Sequence, residues 1–304
     1  MIQIGFTYDG QYRYEEVNVS VFKGGEVNVR LTEDVIKYLE QDSDQQKKID
    51  VIAHISNSDT VMAFFLTCDA SRRIEPGVEI RAIIPYLPYA RQDRVCNPGE
   101  ALSISTFAKL LNTQNLASVE LLDPHSDVSA AAIERSRVTN QEKMLHEVVS
   151  KRLLGLNTDN LWLVAPDAGA VKKVKKLADH LKALGLVKGF ITATKIRDVE
   201  TLEVTETRLD ADVAGKNLII VDDICDGGRT FIQLGEILLE RGCAELSLFV
   251  THGIFSYGID ALLKIFGRIY TTNSFHPDPE SSIRVETERH TAENGQPRFH
   301  WFTL

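Results

Sequence analysis

The sequence predicts an α/β protein built from two doubly wound domains, each around a central, mainly parallel sheet. Three observations carry that expectation. Short β-branched runs alternate with segments of helical apolar spacing along most of the chain. The strand-like runs are continuously apolar, as strands covered on both faces are. At 304 residues the chain is long for one compact core, which favours two domains of ordinary size.

The elements come in order. IDVIAHIS (49–56) reads as a buried strand leading into SDTVMAFFLTCDASRRI, whose apolar spacing predicts a helix. VEIRAIIPYL (78–87) is a second strand, followed by a polar loop and the helix-like SISTFAKLLNTQ, and ASVELLDPH (117–125) is a third. A boundary is expected near RSRVTNQEKM (135–144), giving domains 1–143 and 144–285. In the second half LWLVAPD precedes the helical AGAVKKVKKLADHLKAL, and GFITATKI and KNLIIVDD are further strands. RTFIQLGEILLERG, AELSLFVTH and SYGIDALLKIF then read as helix, strand and helix. SDQQKK (43–48) reads as a solvated loop, and the polar, Pro-containing 276–298 as an exposed excursion. The closing FHWFTL is too apolar for a frayed tail and is expected to dock against a sheet, and residues 286–304 to pack back on the N-terminal domain.

Composition narrows the function classes. The chain is 43% hydrophobic and 25% charged, ordinary for a soluble globular protein. No apolar run is long enough for a transmembrane span. MIQIGFTYDG lacks the basic flank and apolar run of a signal peptide, so a cytoplasmic protein without membrane contact is expected. Cys68, Cys96, Cys225 and Cys243 are scattered with no CxxC pair, which argues against disulfides or a zinc site. A net charge of −9 disfavours nucleic acid as a partner, yet leaves room for an anion held by a local turn.

Ligands of open α/β sheets collect beyond the carboxyl ends of the strands. The residues there are Tyr89 to Arg94, Asp123 to His125, Pro166 and Asp167, Asp222 and Asp223, and Thr251 and His252. The stretch LIIVDDICDGGRTF (218–231) stands out. Asp222 and Asp223, side by side after an apolar run, suit the vicinal hydroxyls of a ribose. The turn Asp226, Gly227, Gly228, Arg229, Thr230 suits a phosphate, because glycines let backbone N–H groups turn inward and a helix start adds partial positive charge. The plainer alternative is a polar turn in which Asp226 caps the helix. The adjacent acids favour the sugar-phosphate reading.

That stretch resembles the ribose-phosphate signature of the phosphoribosyltransferase family, which implies phosphoribosyltransferase-type domains. Further runs resemble one branch, the ribose-phosphate pyrophosphokinases (PRPP synthetases). IIPYLPYARQDR (83–94) is similar to that branch's ATP segment. Physically, the flat guanidinium of Arg91 can stack on adenine and reach phosphate, while Gln92 and Asp93 supply polar contacts. VFKGGEV (21–27), which alone would read as a β-turn, occupies the place of a segment reaching into a neighbouring subunit's ATP site. Phe22 and Glu26 match it, and Gly24 replaces the family's Asp.

LLDPHSD (121–127) and VAPDAGA (164–170) resemble segments that imply His125 and Asp167 as holders of Mg²⁺. One His and one carboxylate with substrate oxygens fit that ion's preferences. Pro124 and Val128 depart from the pattern. TATKIRD (192–198) resembles the start of the branch's mobile catalytic loop, implying Lys195 and Arg197 as cations that neutralise charge during transfer. The continuation VETLEVTETRLD lacks the basic residues common there. THGIFSYG (251–258) matches another run, and the resemblance spans residues 17–275.

The resemblance implies transfer of the β,γ-diphosphoryl group of ATP to the 1-hydroxyl of ribose 5-phosphate, giving PRPP and AMP. It also implies Mg²⁺ and a dimer-based homo-oligomer, commonly a hexamer. Two residues of the phosphate turn depart from the family. Gly227 lacks the usual hydroxyl, a loss of about 1–3 kcal/mol where the acceptor stays buried. Arg229 replaces a glycine and either compensates with a charge-assisted contact or suits a larger 5′ group. The same transfer onto ADP-ribose, giving ADP-ribose 1-pyrophosphate and serving NAD rebuilding, is the alternative. A base phosphoribosyltransferase would not need PYARQDR. A non-catalytic regulatory homologue would not need Lys195, Arg197, His125 and Asp167.

Overall fold

The computed structural model describes residues 1–42, 45–150, 156–197, 204–277 and 298–302, with the backbone alone at 195–197, 204–206 and 301–302. The chain divides into two compact units, Met1–Asn140 and Gln141–Leu304. The break falls just ahead of the expected 143, between a short strand and the next helix.

The first unit begins with β1 (Ile2–Tyr8) and β2 (Gln11–Glu16), an antiparallel hairpin closed by Asp9 and Gly10. Both turn residues have positive φ, 51° and 74°, as a tight two-residue hairpin loop requires. A second hairpin pairs β3 (Asn18–Val21) with β4 (Val27–Arg30) as a separate two-stranded sheet. Next come α1 (Glu33–Glu40), β5 (Lys48–Ala53), α2 (Ser58–Ile74), β6 (Glu79–Ile84), α3 (Ser103–Asn112), β7 (Ser118–Leu122), α4 (Asp127–Ala131) and β8 (Ser136–Thr139). The six-stranded sheet runs β2-β1-β5-β6-β7-β8, and β5 to β8 are parallel.

Helix α2 matches the segment read from apolar spacing. Asn57 caps it by accepting from the Thr60 N–H at 2.9 Å, and Ala63, Phe64, Thr67 and Cys68 lie on its buried face. These side chains join Val51, Ala82 and Leu121 of the strands in one core. On the opposite face of the strands Asp50 and Arg81 are cross-strand neighbours joined by two hydrogen bonds, 2.7 and 2.5 Å. Tyr12 Oη also donates to Asp50.

The second unit holds α5 (Glu142–Ser150), β9 (Leu161–Ala165), α6 (Val171–Ala183), β10 (Gly189–Arg197), β11 (Val204–Leu209), β12 (Asn217–Cys225), α7 (Arg229–Glu240), β13 (Glu245–Gly253), α8 (Asp260–Leu263), β14 (Arg268–Thr272) and β15 (Phe299–Phe302). Its sheet runs β11-β10-β9-β12-β13-β14-β15, parallel except for β11. The mainly parallel α/β fold expected from the sequence is present in both units. Leu218 and Ile220 of β12 pack with Leu234 and Leu238 of α7 and with Leu248 and Val250 of β13.

The closing segment docks on a sheet as expected: Phe299–Phe302 pairs in parallel with β14, and Phe299 stacks edge-on against Phe255. Two expectations are corrected. The helix read at SYGIDALLKIF is only Asp260–Leu263; Gly258, at φ 75°, keeps it from starting earlier. Strand β12 does not stop at its acids. Pairing with β13 carries it through Asp222 and Asp223 to Cys225. The excursion read at 276–298 lies almost entirely outside the described residues.

Candidate active site

Strands β9 and β12 are neighbours in register, Val164 beside Ile220, so the residues just past β9 lie next to the last residues of β12. Asp167 is one of them. Its Oδ1 accepts from the N–H groups of Gly169 and Ala170 at 2.9 and 3.2 Å, which fixes the carboxylate at the entrance to α6. Its Oδ2 accepts no hydrogen bond among the described residues.

Asp223 is buried at 6% exposure, and its backbone N–H donates to Oδ1 of Asp222 at 2.9 Å. Asp222 is held well above the usual carboxylate range. Burial is the main cause, the charge of Asp223 the next, and Asp167 adds to both. Asp167, Asp222 and Asp223 thus lie close enough, at the carboxyl ends of two adjacent strands, for their charges to couple, an arrangement that suits hydroxyl donors from a ligand. Burial also pushes the Cys225 thiol up to about 12, so it is a packed, unreactive group at neutral pH.

Beyond Cys225 the chain turns into α7. Gly228 is the residue before the helix and lies at φ 75°, a left-handed conformation that a side chain would strain. A Cβ on Gly228 would also come within 3.1 Å of Leu262. Being glycine, it offers no capping side chain to the first turn. Arg229 is exposed as the first helical residue, and Thr230 comes next, half-buried. Asp226 accepts a hydrogen bond from Ser256 Oγ, so it is not simply a helix cap. Its neighbour Gly227 lies against the ring of Tyr257.

In the first unit the segment after β6 is anchored by Leu87 and Ala90, both buried, and turns at Tyr89, which has φ 63°. The Gln92 N–H donates to the Tyr89 carbonyl at 3.0 Å. This leaves Arg91 and Gln92 exposed and Asp93 half-buried. His125 is exposed just beyond the neighbouring strand β7, after Asp123, which is buried at φ 39° and donates its N–H to Thr139 at 2.7 Å. The ATP-segment residues and His125 therefore share the carboxyl edge of the first sheet. Phe22 and Glu26 close the β3–β4 hairpin through a Phe22 N–H to Glu26 carbonyl bond of 2.8 Å, and Phe22 is 59% exposed at its tip.

Lys195 and Arg197 extend β10 with their backbones, and their side chains lie outside the described residues. Sequence reasoning passed over Ser256 and Tyr257 as site residues. They lie about thirty positions from the turn they touch, and only the pairing of β12 with β13 brings them to it. Among the described residues no cluster of three His, Cys, Asp or Glu forms a ready-made metal cage.

Comparison with known proteins points to one family over most of the chain. The phosphoribosyl transferase domain family matches residues 136–260, and the N-terminal domain of ribose phosphate pyrophosphokinase matches residues 10–114. A ribose-phosphate pyrophosphokinase of Pyrococcus furiosus is 32% identical over 69% of this chain and 71% of its own length. That of Aquifex aeolicus is 29% identical over 80% and 73%. The crystal structure of a phosphoribosylpyrophosphate synthetase from Mycobacterium smegmatis superposes with a TM-score of 0.71 at 22% identity, covering 95% of this chain and 86% of that one. The chain belongs to the ribose-phosphate pyrophosphokinase family.

Proposed function

We propose that the protein transfers the β,γ-diphosphoryl group of ATP to the 1-hydroxyl of ribose 5-phosphate, releasing AMP and PRPP. The observation that carries this reading is the run of β12 into α7: two converging acids, then a left-handed glycine opening a helix N-terminus. The acids suit the ribose hydroxyls, and the helix start suits the 5′-phosphate. In the reaction the 1-oxygen attacks the β-phosphorus, the bond from that phosphorus to the α,β-bridging oxygen breaks, and AMP departs. The hydroxyl proton passes to solvent.

Phosphoryl transfer of this kind depends on positioning and charge compensation. Asp223 and Asp222 hold the ribose, while Gly227, Gly228, Arg229 and Thr230 cradle the phosphate beside Asp226. Arg91, Gln92 and Asp93 receive the nucleotide. Lys195 and Arg197 are assigned, by family likeness, to compensating the charge of the moving group. Asp167, whose Oδ2 accepts no hydrogen bond among the described residues, fits a Mg²⁺ ion beside the Asp222–Asp223 pair; His125 is assigned to Mg²⁺ by family likeness alone. When bound, that ion supplies positive charge to the ATP phosphates. The exposed Phe22 tip suits contact with a second copy in a homo-oligomer.

Incubation with Mg-ATP and either ribose 5-phosphate or ADP-ribose, with mass analysis of the products, tests the reading. AMP and PRPP are expected from the first acceptor. Product from ADP-ribose alone would replace the acceptor, and product from neither, with ATP still bound, would make the protein a regulatory homologue.

A further inference from the structure

Residues 254–262 run beside the phosphate turn and meet it position by position. The N–H groups of Ile254 and Phe255 both donate to the Cys225 carbonyl, at 2.8 and 3.1 Å. Ser256 Oγ donates to Asp226. The Tyr257 ring lies against Gly227, since a Cβ placed there would stand 3.0 Å from Cε2 and 3.2 Å from Cδ2. Leu262 lies against Gly228. The segment is itself closed by a Gly258 N–H to Phe255 carbonyl bond of 2.8 Å and held from behind by His276, whose Nε2 lies 2.9 Å from the Ile254 carbonyl.

Tyr257 is the large side chain of this segment left in water, 87% exposed although one edge of its ring lies against the turn. A large ring left in water adds almost nothing to folding, because stabilisation scales with apolar area removed from water. Its contact with the turn therefore calls for a reason outside the core. Gly227 supplies one: with no side chain there, the ring edge borders the backbone of the turn that receives the 5′ group.

We propose that Tyr257 determines specificity at the 5′ end of the acceptor, as a wall that admits a phosphate monoester and turns away longer 5′ substituents. This rests on the ribose 5-phosphate reading of the site. Ser256 is the positioning residue that keeps the wall in register with the turn, through Asp226. The ring does the work and the phenol hydroxyl does not, because the edge facing Gly227 is carbon.

Steady-state kinetics of the full chain with ribose 5-phosphate and with ADP-ribose, for the wild type, Tyr257→Phe and Tyr257→Ala, tests this. Wild-type turnover of ribose 5-phosphate is the check on the underlying reading, and its absence overturns both. With that activity present, Tyr257→Ala should raise KM for ribose 5-phosphate about fivefold or more, leave kcat and KM for ATP within twofold, and move the kcat/KM ratio toward ADP-ribose. Tyr257→Phe should match the wild type. An unchanged KM and ratio in Tyr257→Ala overturns the wall. So does a greater loss on ADP-ribose than on ribose 5-phosphate, which would make the ring a stacking platform. The exposed position makes misfolding an unsuitable explanation for a loss, and an unchanged melting temperature verifies it.

Discussion

The backbone N–H of Asp223 donates to Oδ1 of Asp222 at 2.9 Å, so the second acid of the pair orients the first. The two therefore act together, one buried and one with its ionisation suppressed by burial and by its neighbour. Asp223→Ala should abolish diphosphoryl transfer while nucleotide binding, measured by calorimetry with ATP, stays within twofold. Retained turnover would remove the ribose assignment.

The raised pKa of Asp222 has a stability consequence of definite sign. The folded state binds its proton more tightly than the unfolded chain, so stability falls as pH rises above the ordinary Asp value. The decline continues until pH passes the folded value. Asp222→Asn removes this dependence. The ligand-free variant should melt above the wild type at pH 8, with the gap closing toward pH 4; an equal gap at both pH values would contradict the burial and charge argument.

Arg229 places a cation at the first residue of α7, where the helix carries partial positive charge. Without ligand this costs about 0.3–1 kcal/mol. Arg229→Ala should therefore stabilise the empty protein by that amount in denaturant titration. It should also raise KM for ribose 5-phosphate roughly tenfold, the scale of one charge-assisted hydrogen bond. A gain in stability with no change in KM would take Arg229 out of the cradle.

Gly228→Ala puts a side chain at φ 75° and against Leu262. A loss of about 1–2 kcal/mol in unfolding free energy is expected from the backbone alone, with weaker ribose 5-phosphate binding. Wild-type stability in chemical denaturation would show that the turn relaxes freely.

Arg81→Ala tests the other face of the first sheet. It leaves the buried Asp50 carboxylate with Tyr12 but without its two-bond partner. The expected cost is about 1–3 kcal/mol in urea unfolding, with KM for ribose 5-phosphate unchanged. A kinetic effect without a stability effect would reassign the pair.

Much of the fold was legible from local pattern. Helix α2 is predicted by the spacing of Val61, Phe64, Phe65 and Cys68, and β12 by four apolar residues before the acids. What local pattern missed depends on partners distant in the chain. Strand β12 extends to Cys225 because β13 offers hydrogen bonds that far, and β15 joins β14 across about thirty residues. The turn at Phe22–Glu26 is legible in VFKGGEV, whereas apolar periodicity does not report the strands it joins or the Asp9–Gly10 turn. At the site, the acid pair and the glycine turn announce themselves by residue type. Ser256 and Tyr257 do not, since hydroxyl and aromatic residues in a loop acquire meaning only from what lies beside them.

The acceptor is tested most directly by mass analysis of the products from Mg-ATP with equimolar ribose 5-phosphate and ADP-ribose in one vessel. AMP should appear in step with PRPP, with ADP-ribose largely unconsumed. AMP appearing in step with a pyrophosphorylated ADP-ribose, and ribose 5-phosphate untouched, would contradict it.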